Sequence, residues 1–364
     1  MRKQKLSALA VFTMLLPRLL PAHGEDVPVT TPAVINMVHH PFKSFPETCL
    51  HCDEHSELGQ QCCGLCIFEN TCTEAQTATL LQHLASINID LTSATPAKFF
   101  EAIRGRSLWI VGDSQMKYFY TTVECFLAEY VLGVRRSLPF PENDVLNSMM
   151  RRGSDRNIFW DSSKCMFLQD NTRICHLRKI FGPHIVQDVF PALIDGVPDL
   201  LNDIMIVNIG TWYDPAFPND YHQDVQRLAE FMQRLRHQLP RKLIWADTPP
   251  QHFGFDMGYA WHDVGTGTRG HHTQCVFIDT DEHKRGGWMN VISRPMMAAM
   301  PLAILNSWNI STNLWPWHVG GPDCTHFCHP SIYEIWLFIL DEMLAEWPDG
   351  ALMPLQSDKI HQMW

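Results

Sequence analysis

The chain has 364 residues, of which 46% are hydrophobic and 12 are cysteines, and its formal net charge is −11 at pH 7. A chain of this length can form one large α/β domain of about 250 residues with shorter attachments around a single core. The acidic balance argues against nucleic acid as a partner, because nucleic acids select a basic surface and the sequence contains no basic patch.

The amino-terminal 24 residues are typical of a targeting segment. Three basic residues within the first five precede an apolar stretch from Leu6 to Leu16, and Ala22 and Gly24 occupy the small-residue positions of a cleavage site. We therefore predict a signal peptide over residues 1–24 and a location in the secretory pathway, in the Golgi lumen or outside the cell. The alternative is a single uncleaved membrane anchor, although the apolar run is shorter than the about 20 residues of a span. After cleavage we expect no membrane span.

Residues 25–75 form a separate cysteine-rich block, which we predict to be an amino-terminal arm stapled by disulfides. An even, high cysteine count is expected of proteins that mature in the oxidising secretory lumen. The Cys49-x-x-Cys52 and Cys63-x-x-Cys66 spacings also allow a zinc ribbon, but zinc thiolates compete poorly with oxidation in that compartment. Asn309 opens an Asn-Ile-Ser sequon and is a candidate glycosylation site.

From about residue 95 to about residue 350, strand patterns alternate with helix patterns, which predicts an α/β domain with a mostly parallel sheet. Residues 351–364 form a short tail. The predicted strands are Leu108–Val111, Ile185–Phe190, Ile204–Ile209 and Leu243–Ala246. The predicted helices are Gln115–Tyr130, Asp224–Leu239 and Ser331–Trp347. Cys165 and Cys175 flank a polar turn, which predicts a disulfide-linked hairpin.

Ser114 lies where the apolar run Leu108–Val111 gives way to the helix pattern that begins at Gln115. A serine on a sharp strand-to-helix turn exposes its hydroxyl, and its backbone N–H at the helix N-terminus points toward a developing oxyanion. The hydroxyl needs a base, and an imidazole oriented by a carboxylate is the usual device. His326 and Asp323, three residues apart, are predicted to supply both from one loop. This combination predicts acyl transfer.

Four motifs in a fixed order narrow the prediction. They are residues 103–114, which end in Val-Gly-Asp-Ser and are followed by Cys125, then Asn-Ile-Gly-Thr-Trp at 208–212, Thr-Pro-Pro-Gln-His-Phe at 248–253 and Asp-Cys-Thr-His-Phe-Cys at 323–328. In this order they resemble the landmarks of the plant trichome birefringence-like, or PC-esterase, family over roughly residues 100–347. Thr211 stands where that family usually has a histidine. The resemblance implies a three-layer fold like that of the SGNH, or GDSL-type, hydrolases, with a central mostly parallel sheet.

The same resemblance implies a polysaccharide O-acetyltransferase that forms an acetyl-enzyme on Ser114. An O-acetyl esterase, in which water attacks the acetyl-enzyme, would use the same residues and is the alternative. A non-catalytic glycan-binding protein on a retired esterase fold is a third hypothesis, which the presence of Ser114, Asp323 and His326 disfavours. The expected partners are a polysaccharide or oligosaccharide and an acetyl donor, and no bound cofactor is expected.

Three backbone or side-chain donors are candidates for the oxyanion hole. Gly210 closes an apolar strand, so its N–H can join that of Ser114, and the side chain of Asn208 can add a third donor. The alternative for Gly210 is a simple turn residue.

Candidates for substrate contact are one histidine and several aromatic residues. His252 follows a strand at the sheet edge where ligands bind, although a structural histidine is the competing interpretation. Aromatic rings can stack on the apolar faces of sugars or can simply fill the core. The aromatic candidates are Trp212, Trp315 and Trp317.

No metal site is predicted from the histidines. His262, His271 and His272 lie close to Asp263 in the sequence, but some clustering is expected among 19 histidines, and acyl transfer needs no metal.

The disulfide pattern follows from the family resemblance. It implies that Cys324 pairs with Cys275, whereas Cys125 and Cys328 each pair with a cysteine of the arm. Because Cys324 and Cys328 bracket His326, two crosslinks would then restrain the segment that carries the base.

Overall fold

The computed structural model describes residues 70–135, 163–253, 275–306, 308–320 and 323–347, which belong to one compact unit. The predicted signal peptide, most of the predicted arm, the histidines at 262, 271 and 272, and the tail lie outside these ranges. Among the described residues, no helix has both the length and the apolar character that crossing a membrane requires.

The described strands form one large sheet and one small one. The large sheet contains β1 (Ser107–Gly112), β2 (Val131–Arg135), β3 (Lys164–Leu168), β4 (Arg173–Arg178), β5 (Ile204–Val207), β6 (Lys242–Ala246) and β7 (Ala303–Leu305). Their order is β2-β3-β4-β1-β5-β6-β7, with parallel pairing from β4 to β7 and antiparallel pairing of β3 with β2 and β4. The small sheet pairs β8 (His318–Gly320) with β9 (Asp323–Phe327) in antiparallel fashion. The prediction of an α/β domain with a mostly parallel sheet is confirmed.

The helices occupy the connections between these strands. They are α1 (Glu74–Ser86), α2 (Pro96–Ile103), α3 (Ser114–Phe126), α4 (the successive turns Gly182–His184, Ile185–Val189 and Phe190–Gly196), α5 (Pro218–Arg234), α6 (Asp281–Lys284), α7 (Gly287–Ala298), α8 (Trp308–Ser311) and α9 (Ile332–Glu346). Short 3₁₀ turns occur at Leu91–Ser93, Ala128–Tyr130, Leu200–Asn202 and Trp315–Trp317. Capping boxes start α1 and α9, where Thr73 pairs with Gln76 and Ser331 pairs with Glu334.

Two apolar cores lie on opposite faces of the large sheet. Along β1, Leu108 and Ile110 face the core shared with α3 and α9, whereas Trp109 and Val111 face the core shared with α4 and α5. Every residue of β1 is buried, which is why Leu108–Val111 is a continuous apolar run in the sequence rather than an alternating pattern. Helices therefore cover both faces of the sheet.

The prediction of a strand over Ile185–Phe190 is wrong, because this segment lies within α4. Ile185, Val189 and Leu193 are spaced four residues apart and are all buried on one helix face. A six-residue window is too short to distinguish that period from a buried strand. The predicted helix at Asp224 begins earlier, at Pro218, because proline is favoured in the first turn of a helix.

Three disulfides join described residues. Cys165–Cys175 links directly opposed residues of β3 and β4, which confirms the predicted hairpin. Cys275–Cys324 and Cys72–Cys328 are present, as the resemblance implied. Cys125 is also disulfide-bonded, and the prediction that its partner is an arm cysteine lies outside the described residues. These bonds are compatible with a secretory or extracellular protein.

Candidate active site

Ser114 is the first residue of α3 and directly follows the turn after β1. Asp113 caps the helix, and its Oδ1 accepts a hydrogen bond from the N–H of Gln115 at 2.9 Å. Gly112 permits the turn, since a Cβ there would collide with the carbonyl oxygen of Asn208. β1 lies between β4 and β5 in the sheet. The strands β2, β3 and β4 lie on one side of it and the later strands β5, β6 and β7 lie on the other, so the strand order reverses at β1. Open α/β sheets bind ligands at the carboxyl edge of such a position.

β9 brings His326 and Asp323 to this turn. Oγ of Ser114 is 2.7 Å from Nε2 of His326, and Nδ1 of His326 is 2.9 Å from Oδ2 of Asp323. A carboxylate only accepts hydrogen bonds, so Nδ1 carries the hydrogen and Nε2 is free to accept from the hydroxyl. The expectation that Asp323 and His326 lie on a loop is wrong, because the segment pairs with β8 as a strand. The three predicted residues nevertheless form one hydrogen-bonded series.

The surroundings of Asp323 favour its ionised form. Its Oδ1 accepts hydrogen bonds from the backbone N–H groups of Thr325 at 3.0 Å and His326 at 2.9 Å. Burial alone would raise the pKa of this carboxyl, but the hydrogen bond and charge of the His326 ring, together with the two backbone donors, lower that pKa below its usual value. An ionised Asp323 in this position can orient His326 and can stabilise an imidazolium.

Two residues of α3 that sequence reasoning missed hold β9 against the nucleophile. Gln115 donates through Nε2 to the carbonyl of Thr325 at 2.8 Å, and its Oε1 accepts from the hydroxyl of Tyr333 at 2.7 Å. The ring of Tyr118 lies 4.9 Å from the ring of His326, centroid to centroid. Tyr118 follows Ser114 by one helical turn and so shares its helix face, which was a usable signal in the sequence.

His252 is fully buried, so the prediction that it contacts substrate is corrected: it is a structural residue. Its Nε2 lies 3.0 Å from the carbonyl of Thr312, and its Nδ1 lies 2.6 Å from Nε2 of His318. Nδ1 of His318 in turn lies 3.0 Å from the carbonyl of His326. Burial lowers the pKa of His252 to about 2 and that of His318 to about 3, so both rings are neutral at neutral pH. Two neutral rings carry only two N–H groups, so two of these three contacts are hydrogen bonds at any one time. The contact with the carbonyl of His326 links the pair to β9.

The candidate oxyanion donors differ in their availability. The side-chain amide of Asn208 is buried and donates to the carbonyl of Ala246 at 2.9 Å and to Oγ1 of Thr248 at 3.2 Å, so we correct its prediction as a donor. Gly210 follows β5, and the next N–H, that of Thr211, donates to Oδ2 of Asp113 at 3.3 Å. The loop after β5 therefore lies beside the nucleophile turn. The N–H groups of Ser114 and Gly210 stay the candidate donors.

The predicted aromatic contacts separate into core and surface residues. Trp317 is only 5% exposed, and its Nε1 donates to the carbonyl of Gln76 at 2.7 Å, so it anchors α1 and its prediction as a substrate contact is corrected. Trp315 is 38% exposed. Trp212 is half-buried and lines a pocket beside α5. Asn309, the candidate glycosylation site, is exposed on α8.

Within the described ranges, no group of three or more His, Cys, Asp or Glu side chains is arranged to hold a metal ion.

Comparison with known proteins leaves the family open. No family model matches the chain, and no curated protein matches it.

Proposed function

We propose that this protein is a glycan O-acetyltransferase with an SGNH-type fold, acting through an acetyl-enzyme on Ser114. The observation that carries the proposal is the hydrogen-bonded series of Ser114, His326 and Asp323 at the carboxyl edge of β1. The order of the elements supports the fold assignment, because, among the described elements, the serine follows the first strand and the Asp-x-x-His segment precedes the last helix, α9.

The first half of the reaction transfers the acetyl group to the protein. Oγ of Ser114 attacks the carbonyl carbon of the acetyl donor while Nε2 of His326 takes the hydroxyl proton. The negative charge that develops on the carbonyl oxygen is stabilised by the N–H groups of Ser114 and Gly210. The tetrahedral intermediate then collapses, and the departing group takes the proton from His326.

The second half transfers the acetyl group to the acceptor. A sugar hydroxyl gives its proton to Nε2 of His326 and attacks the acetyl-enzyme, and the second tetrahedral intermediate releases Oγ of Ser114. His326 returns the proton to that oxygen, so the enzyme is regenerated. Throughout, Asp323 keeps the Nδ1–H tautomer of His326 and stabilises the ring when it is charged.

An O-acetyl esterase is the second candidate. The side chains of His326 and Asp323 are 19% and 34% exposed, so water can reach the base. In that case water replaces the sugar hydroxyl in the second step, with the same residues in the same roles.

The proposed activity is tested by incubating the purified protein with candidate acetyl donors and oligosaccharides. Mass spectrometry should detect an acetyl gain on the oligosaccharide that disappears in the Ser114→Ala variant. Acetyl loss from pre-acetylated oligosaccharides, without any gain, would instead establish the esterase. If the Ser114→Ala variant gained or removed acetyl groups as fast as the wild type, both forms of the proposal would be overturned.

A further inference from the structure

A pocket lies beside the nucleophile turn, on the loop between β5 and α5. Its volume is about 380 Å³, within the range of about 300–1,000 Å³ that is typical of small-ligand sites. Trp212 and Phe217 line it from the loop, and Asp220 and Arg227 line it from α5. Phe217 is 62% exposed, so its ring is accessible to a ligand.

The pocket is connected to the catalytic residues by a short stretch of backbone. Trp212 directly follows Thr211, and the N–H of Thr211 donates to Asp113, the residue before Ser114. Consecutive Cα atoms are about 3.8 Å apart, so the near wall of the pocket begins within about 10 Å of the nucleophile turn. That span corresponds to one or two sugar units.

One wall of the pocket is held rigidly before any ligand binds. The hydroxyl of Tyr213 donates to Oδ2 of Asp224 at 2.8 Å and accepts from the N–H of Gly182 at 3.0 Å. The ring of Phe181 packs edge-on against Tyr213, with centroids 5.2 Å apart. A preorganised wall reduces the entropy that a ligand loses on binding.

The chemistry of the lining selects one class of ligand. The exposed ring of Phe217 and the half-buried ring of Trp212 offer apolar faces, and the C–H face of a pyranose can stack on such rings. Three aspartates, Asp214, Asp220 and Asp224, offer acceptors for sugar hydroxyls.

The charge of the pocket lining argues against acidic sugars as ligands. The three aspartates face a single arginine, and that residue, Arg227, lies 3.5 Å from Oδ1 of Asp224. The excess of acidic groups repels the carboxylates of uronic acids, because like charges brought together across an interface are strongly unfavourable.

We propose that this pocket binds a neutral sugar unit of the acceptor glycan, one or two units away from the hydroxyl that attacks the acetyl-enzyme. The inference rests on the proposed function and adds the substrate class: a neutral glycan rather than a polyuronate.

Binding to the Ser114→Ala variant tests this inference without turnover. The probes are neutral hexasaccharides of glucose, xylose and mannose, together with hexagalacturonate, and dissociation constants are measured by calorimetry. At least one neutral hexasaccharide should bind about tenfold or more tightly than hexagalacturonate. Adding Phe217→Ala should weaken that binding by about fivefold to tenfold. Leu132→Ala, which truncates a side chain that is 65% exposed on β2, is the matched control and should change nothing.

A charge reversal tests the exclusion of uronates. Asp220→Lys should strengthen hexagalacturonate binding about fivefold or more relative to Asp199→Lys, which makes the same change in net charge at an exposed site before β5. The inference is overturned if no neutral hexasaccharide binds, if hexagalacturonate binds as tightly as the best of them, or if either pocket variant behaves like its control.

Failure of the proposed function would look different. Hydrolysis of p-nitrophenyl acetate needs the nucleophile but no glycan, so a Ser114→Ala protein that hydrolyses it at the wild-type rate refutes the catalytic proposal whatever the glycan binding shows.

Discussion

Ser114 and His326 contact each other across 2.7 Å, yet different interactions hold the two halves of the site in place. Ser114 follows β1, whose residues are all buried between two apolar cores. His326 lies in β9, in a small two-stranded sheet, and two-stranded sheets have little stability of their own. β9 is held by Cys275–Cys324 at its second residue, by Cys72–Cys328 just beyond its end, and by hydrogen bonds.

Two different kinds of interaction therefore fix the geometry of this one site. Core packing places Ser114, so moving it requires disturbing the whole sheet. A few individual links place the base, among them the bond from Gln115 to the carbonyl of Thr325 and that from the N–H of His252 to the carbonyl of Cys324 at 3.1 Å. The position of the base should therefore be separable from global stability, whereas the position of Ser114 should not.

Removing the hydroxyl of Ser114, the proposed nucleophile, should have the largest effect. Ser114→Ala leaves the packing of both halves in place, and we expect acetyl transfer and ester hydrolysis to fall by about a thousandfold or more. Initial rates and thermal unfolding are measured together, with the exposed-site variant Ser86→Ala as control. Retention of most activity in a folded Ser114→Ala protein would contradict the assigned nucleophile.

Changing the side chain of Asp323 without moving β9 should lower the activity nearly as much. Asp323→Asn presents an amide that favours the wrong tautomer of His326, so we expect a loss of the same order as that of His326→Ala, about a thousandfold. Steady-state kcat and KM of the two variants decide the comparison. A loss smaller than about tenfold in Asp323→Asn would mean that another group orients His326.

Removing a disulfide next to His326 should shift that residue without unfolding the protein. In a Cys275→Ala/Cys324→Ala double variant we expect kcat to fall by about a hundredfold in protein that is still folded, since a shift of about 1 Å in the base has this effect. The Cys165→Ala/Cys175→Ala double variant is the control, because it cuts a bond between β3 and β4 that does not touch β9.

The control variant should lose stability and keep its kcat. Mild reduction of the wild type should likewise abolish the proposed activity before circular dichroism reports global unfolding. Peptide mapping under non-reducing conditions that finds Cys324 or Cys328 as a free thiol in active protein would contradict this role of the disulfides.

A smaller effect is expected from loosening a single hydrogen bond. Gln115→Ala removes the tie between α3 and the carbonyl of Thr325, and we expect kcat to fall by about tenfold, with little change in KM. Gln76→Ala removes a comparable bond, from Gln76 Nε2 to the carbonyl of Pro316 at 2.7 Å, together with the capping box of α1. These contacts involve neither α3 nor β9, so kcat should be unchanged. Equal kcat values for the two variants would show that Gln115 does not position the base.

The smallest effect concerns pH. The folded pKa of Asp323 lies below the usual value of about 3.9, so ionisation of this group stabilises the folded protein fully above about pH 4, and that stabilisation is lost as the pH falls through the folded pKa. Chemical unfolding is measured for the wild type and Asp323→Asn from pH 7 to pH 2.5. The difference between their free energies of unfolding should be constant above pH 5 and should shrink below pH 4. If this difference grew as the pH fell, the pKa of Asp323 would be raised in the folded protein, which would contradict the prediction.

Local patterns in the sequence predicted the inner strands β1, β5 and β6, the helices α3, α5 and α9, and the residues with reactive side chains. β1, β5 and β6 contain the continuous apolar runs Leu108–Val111, Ile204–Val207 and Leu243–Ala246, because strands buried on both faces are mostly apolar. Ser114 was identified because an apolar run stops at Gly-Asp-Ser and a helical period starts, and the Cys165–Cys175 hairpin because its two cysteines flank a short polar turn. Each of these signals is complete within about a dozen residues, so no knowledge of the strand order was needed.

Only the tertiary structure decided what each polar group contacts. Ser114 and His326 are 212 residues apart in the sequence, and whether Asn208, His252 and Trp317 face a substrate or the interior depends on which strands and helices become neighbours. A buried donor must find an acceptor nearby, so Asn208 is committed to Ala246 and Thr248 once β5 pairs with β6. Hydrophobic periodicity carries no information about these partners, because it records only that a residue is buried and not what it is buried against.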